Sequence, residues 1–365
     1  MGNRSLHQKL RHRSNEPSVT KVVGSSRHRA YESINLSNSN MTKMLAGQIV
    51  GKRRLEMIEL PVPAIEEGEI LVKLETASIC GSDLPYFLFD TNHPAIDGHS
   101  DSLPPALSLH ELVGVVAESR CLRFKEGARV LALPTVSHRG LAEYFVSSQD
   151  HAVPIPSGPA DRLVVSQPLG TVIHACLKLS NLLGQTAVVL GQGPAGQLFT
   201  ALLRHMGVLR LIAVDLLQER LQVSLKMGAT HTVCGGVTEV CKTVEEITEG
   251  KGADLAIEAI GKTETLNLAA KLLRRNGTLL AFGLPHSYNY NFAFHDFFSN
   301  ERQLVTTLGP SVQHDFPIAV EMIATGMIDV APLLTHRFTF NRAQEAFELF
   351  ADRADGVIKV VLTIE

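Results

Sequence analysis

The sequence predicts an α/β protein of two domains, one mostly β and one built on a doubly wound parallel sheet. Three observations carry that reading. The chain has 365 residues, whereas a single hydrophobic core rarely grows past roughly 250–300 residues. From about Met44 to Pro156 it gives short strand-like runs (Glu69 to Leu74, Leu112 to Ala117, Ala128 to Ala132) broken by Gly and Pro, with few helical patterns. From Gln185 onward, apolar β-runs such as TAVVLG and LIAVD alternate with amphipathic stretches such as PAGQLFTALLRHMG. That alternation is the pattern of a parallel sheet covered by helices on both faces.

The composition, 45% hydrophobic and 19% charged, suits a compact globular chain. The first forty residues are of another kind. They hold seven Lys and Arg against two acids, a net +5 within a chain whose total is −3, and they are rich in Ser without apolar periodicity. Residues 1–43 are therefore expected to be a disordered basic tail that contributes nothing to fold or catalysis. A transit peptide, a nucleic-acid arm or an extension ahead of Met41 or Met44 are the sharper readings of the same composition. The leading residues lack the apolar segment of a secretory signal, and no apolar run is long enough to span a bilayer, so a cytoplasmic protein without membrane or nucleic-acid partners is expected. Five cysteines, at 80, 121, 176, 234 and 241, form no C-x-x-C pair. Neither a disulfide framework nor a four-cysteine zinc site is indicated, and any metal must use mixed ligands.

Along the chain, the first stretch that raises a chemical question is TASICGSDLPYF. Cys80 there is either a small buried hydrophobe beside a turn or a metal ligand, and cysteine alone does not decide between them. Next comes LSLHELVGVVAE, with His110 and Glu111 side by side ahead of a β-run. Then VVLGQGPAG places Gly191, Gly193 and Gly196 as G-x-G-x-x-G after a strand and at the mouth of a helix. Glycines in that context allow a tight turn, close approach of backbone to a pyrophosphate and close helix packing. Asp215 ends the next strand, nineteen residues past Gly196, at the distance of a carboxylate that accepts from adenosine ribose hydroxyls. Leu216 and Leu217 follow it where a 2′-phosphate would need basic residues, so NAD is expected over NADP.

Taken together, CGSD at 80–83, HELVGVV at 110–116, GARV at 127–130, QPLGTVIHA at 167–175, the Gly-rich turn, VDLLQERL, EAIG and GTLLAFG, in that order, resemble the zinc-dependent medium-chain dehydrogenase/reductase superfamily. The resemblance runs from about Met44 to the C-terminus. It implies a GroES-like β-rich catalytic domain of residues 44–166 and 311–365 around a Rossmann domain of residues 167–310. It also implies a homo-oligomer, dimer or tetramer, that exchanges a hydride between NAD and a small alcohol, polyol or sugar. Cys80 and His110 match ligands of a catalytic zinc, and Glu111 matches a carboxylate that lies near the metal and sometimes ligates it. Asp83 matches the acid that orients the ligand histidine, and Ser82 the hydroxyl that passes the substrate proton toward solvent. Thr171 matches a position near the nicotinamide and Arg220 one near the ribose. Zinc there would lower an alcohol pKa steeply, toward the neutral range.

Four departures accompany the matches. Gln167 stands where polyol-type members place a glutamate ligand, so a third oxygen comes from Gln167 or from Glu111. Leu109 replaces the glycine that usually precedes the His-Glu pair, Pro85 replaces a relay histidine, and the four-cysteine structural lobe is missing. Two other readings of the same fold follow: a zinc-free reductase of enones or quinones, and a non-catalytic NAD-binding protein.

Overall fold

The computed structural model describes residues 42–90, 96, 103–136 and 139–364. Of the expected tail 1–43, all but the last two residues lie outside these. The chain from Thr42 onward forms one compact unit, and Lys43 already opens its first strand. Strands β1 (Lys43–Gly51) and β2 (Arg54–Pro61) form an antiparallel hairpin. β3 (Glu69–Ser78), β4 (Glu111–Ser119), β5 (Arg129–Ala132), β6 (Tyr144–Ser148) and β7 (Ala152–Pro154) follow. β3 pairs antiparallel with β4 and β6, and β4 and β5 carry the sheet on to β7. The β-rich reading of this half therefore holds.

The alternating half gives β8 (Thr186–Leu190), β9 (Arg210–Asp215), β10 (His231–Cys234), β11 (Ala253–Glu258), β12 (Leu273–Ala281) and β13 (Gln303–Thr306). All six are parallel and lie in the spatial order β10-β9-β8-β11-β12-β13. Third, second, first, fourth, fifth, sixth is the doubly wound order whose direction reverses between its first and fourth strands. TAVVL is buried at all five positions because helices cover both faces of the sheet, which explains why it reads as a continuous apolar run instead of an alternation. The reversal point falls beside Gly191, whose backbone N–H bonds to Val214 O while Ala259 N–H bonds to Leu190 O.

After the parallel sheet the chain returns. β14 (Leu334–Thr339) and β15 (Lys359–Thr363) complete the first sheet as β14-β15-β3-β4-β5-β7, with β15 antiparallel to β3. One apolar cluster spans both sheets, joining Val113, Leu131 and Val153 to Leu169, Leu198, Phe316 and Val361. Within it the helices Ser166–Cys176 and Val312–Ala324 pack closely at Gly170, where a Cβ would come within 2.5 Å of the Phe316 ring. Among the described residues, no helix is long and apolar enough to cross a membrane.

The Gly-rich turn closes on itself. A Cβ at Gly196 would lie 1.8 Å from the Gly191 carbonyl oxygen, a backbone atom that cannot yield, whereas at Gly193 the nearest atom would be Arg220 Nη1 at 3.8 Å. Gly193 moreover has φ −70°, open to any residue. Gly196→Ala is therefore expected to lower Tm by about 5 °C or more, with Gly193→Ala near wild type. Thermal melts of the two variants that coincide would contradict this packing.

Candidate functional site

Three side chains with metal-binding atoms converge where the β-sheet ends. The ligand atoms of Cys80, His110 and Glu111 all lie within 4.8 Å of one another. Strand register explains the convergence. β3 and β4 pair so that Ser78 stands opposite Glu111, which puts Cys80, two residues past the end of β3, beside His110, one residue before β4. The short 3-10 turn Gly81–Asp83 then brings the chain back on itself.

Asp83 fixes this geometry. Its fully buried carboxylate accepts from Cys80 N at 2.8 Å and from Leu109 N at 3.0 Å, and its Oδ1 is 3.7 Å from His110 Nδ1. The segments that carry Cys80 and His110 are thus tied to one side chain. Burial alone would push the His110 imidazole down, but the contacts with Asp83 and Cys80 outweigh it and raise it well above the usual histidine range. A metal at this imidazole must displace its proton. Ser82, half-buried in the same turn, makes no side-chain hydrogen bond among the described residues.

Glu111 is completely buried and splits its two oxygens. Oε2 accepts from Ser78 Oγ and forms an ion pair with Lys359 Nζ, whereas Oε1 has no partner. A fully buried carboxylate oxygen without a donor is costly unless a cation or donor fills the place. The set of thiolate, imidazole and carboxylate oxygen suits Zn²⁺. Gln167 and Thr171 lie one turn apart on the helix Ser166–Cys176. The Gln167 side chain is only 5% exposed, and its amide takes no hydrogen bond among the described residues. Thr171 Oγ1 donates back to Gln167 O at 3.3 Å.

The turn at Leu109 keeps a glycine-like shape without glycine: Ser108 has φ 102° and Leu109 φ 69°, both left-handed. Leu109 is fully buried in the apolar cluster of the β-sheet, and that packing holds it there.

A second group of expected residues gathers at the carboxyl ends of β8 and β9. Gly191, Gly193 and Gly196 form the turn into the helix Pro194–His205. The Asp215 carboxylate accepts from Gln192 N at 2.6 Å and Leu217 N at 2.9 Å, so it is aimed by backbone donors. Arg220 is 9% exposed, its Nη1 is 4.0 Å from Asp215, and its Nη2 donates to Val357 O at 3.1 Å. Arg220 thus spans from the Asp215 carboxylate to the loop before β15.

Lys359 and Ser78 were not anticipated. The signal for Lys359 is a single cation inside the apolar run GVIKVVL, since a lysine buried in a strand requires a partner.

Comparison with known proteins agrees with this layout. A family model described as "Alcohol dehydrogenase GroES-like domain" matches residues 66–157, and one described as "Zinc-binding dehydrogenase" matches residues 194–325. The chain is 27% identical to the sorbitol dehydrogenase of Bacillus subtilis, covering 87% of this chain and 97% of that protein. It is 25% identical to the L-threonine 3-dehydrogenase of Chromobacterium violaceum, covering 84% and 96%. Among solved structures, the L-idonate 5-dehydrogenase of Escherichia coli superposes with a TM-score of 0.77 at 22% identity, covering 88% of this chain and 99% of that one.

The left-handed turn yields a test in which two effects oppose. Leu109→Gly would relieve about 1–2 kcal/mol of backbone strain but remove a buried leucine side chain worth about 2–5 kcal/mol. Packing wins, so the variant is expected to be about 1–3 kcal/mol less stable in urea unfolding. A variant as stable as wild type would show that strain dominates the turn.

Proposed function

The chain belongs to the zinc-type medium-chain dehydrogenase/reductase superfamily, and on that premise we propose that it is a zinc-dependent, NAD-linked oxidoreductase of a secondary alcohol, polyol or sugar. The observation that carries the proposal is the convergence of Cys80, His110 and Glu111 within 4.8 Å, on a fold that also presents a Gly-rich turn at the reversal point of a parallel sheet.

In this reading Cys80 and His110 hold the metal, with Gln167 or Glu111 as the third ligand. Bound there, zinc supplies a Lewis acid that makes an alcohol hydroxyl acidic near neutral pH, and NAD supplies the hydride acceptor. Asp83 keeps Cys80 and His110 in register. Ser82 takes the substrate proton at its free hydroxyl and releases it to solvent. Pro85, where a relay imidazole would stand, offers no proton acceptor, so that route would pass to water. Gly193 lets backbone approach a pyrophosphate at the N-terminus of the helix Pro194–His205, where the partial positive charge favours it. Asp215 accepts from the ribose hydroxyls and repels a 2′-phosphate. Thr171, one turn past Gln167, would face the nicotinamide of a bound cofactor.

Metal analysis of the purified protein tests the core of the proposal and should return one zinc per chain. Cys80→Ser should lower both zinc content and turnover on the preferred alcohol, the latter by about a hundredfold or more. Full turnover after exhaustive chelation would sink the zinc mechanism and favour a zinc-free reductase.

Cofactor choice is tested separately. The double change Asp215→Gly with Leu216→Arg removes the repulsion and adds a phosphate partner, so the NADP-to-NAD ratio of kcat/KM should rise about tenfold or more. Tighter binding of NADP than NAD by the unmodified protein would contradict the assignment.

A further inference from the structure

The last strand brings a cation to the metal centre. Lys359 is 1% exposed, its Nζ donates to Ile79 O at 3.1 Å, and it contacts Glu111 Oε2. Register accounts for this. Val361 pairs with Ser78 and Ser78 with Glu111, so Lys359, two residues before Val361 on the antiparallel β15, falls level with Cys80, from where its side chain meets Glu111. Ile79, whose carbonyl Lys359 holds, is the residue before Cys80.

We propose that Lys359 is a positioning residue that restrains Glu111 by one oxygen and sets the charge of the metal centre. The inference rests on the zinc reading above. A thiolate at Cys80 and a carboxylate at Glu111 carry −2, which would cancel a dication; His110 and Gln167 add nothing when neutral. Lys359 returns one positive charge to the centre. The balance then favours an anion in the open position, such as the deprotonated alcohol, at some cost in metal affinity. Anchorage of Oε2 on Lys359 and Ser78 also keeps Glu111 from turning both oxygens toward the metal. A neutral amide at 167 fits the same scheme, since it avoids adding a further negative charge.

A plain structural role would predict that loss of Lys359 loosens the sheet and weakens the metal site. The proposal predicts the opposite sign for the metal. Metal-free protein would be titrated with zinc against a chromophoric chelator, and with Co²⁺, whose visible absorption reports the ligand set. Lys359→Met should bind zinc about tenfold more tightly than wild type and shift the Co²⁺ bands. Lys359→Arg should restore both properties. In Glu111→Gln the further change Lys359→Met should have a smaller effect, because the restraint on Glu111 is gone and only the charge of Lys359 remains to be removed. Ser78→Ala, which leaves the charge of the centre unchanged, should move zinc affinity in the same direction by roughly threefold, and it decides the matter if Lys359→Met fails to fold.

Unchanged or weaker zinc binding by a folded Lys359→Met would overturn the proposal, as would unchanged binding by Ser78→Ala. So would an equal effect of Lys359→Met with and without Glu111. Each of these leaves the zinc reading intact. Failure of wild-type protein to bind zinc or Co²⁺ would overturn the metal reading itself.

Discussion

The buried carboxylate of Asp83 is the constraint on which the site depends. Cys80 and His110 are thirty residues apart and sit on loops at the edges of two strands. Loops of this kind are free to drift unless something fixes them. Asp83 accepts one backbone N–H from each segment and faces the imidazole as well. Its fully buried charge is stable only with those donors in place, so the carboxylate and the two loops organise one another. Removal of either loop from its position would strand a charge in an apolar interior.

Around that hub stand two charge pairs. Glu111 has Lys359, and Asp215 has Arg220 together with two backbone donors. A buried pair contributes little net stability compared with apolar residues of the same volume, while loss of one member is severe. Their use here is geometric. Lys359 ties the C-terminal strand to the candidate metal site, and Arg220 reaches from beside Asp215 to Val357, two residues before Lys359. Asp215 and the candidate metal site are thus both linked to one short stretch of backbone, 357–359.

Much of this was legible in the sequence, for reasons that are local. TAVVL and LIAVD announce a covered parallel strand because burial on both faces demands unbroken apolar character. The Gly-rich turn is readable because a close backbone approach, 1.8 Å at Gly196 for a hypothetical Cβ, excludes every other residue. Cys80, Asp83, His110 and Glu111 fall in short motifs and emerge from resemblance. The pairing of Lys359 with Glu111 is different. It joins opposite ends of the chain through three strands whose register no local pattern fixes, and the lysine alone reads as an odd charge on an edge. Leu109 likewise gives no sign that its backbone is left-handed; only the packed interior around it holds that shape.

The place of β15 in the sheet has a consequence for the order in which the protein is made. Chains emerge from the ribosome N-terminus first, so Cys80 and His110 are synthesised long before Lys359. Until β15 arrives, β3 lacks its partner over Thr76–Ser78, and the acid at 111 lacks its cation. The candidate metal site is thus encoded early and completed late, and a nascent chain halted before Lys359 would carry the thiol, imidazole and carboxylate without the charge that balances them.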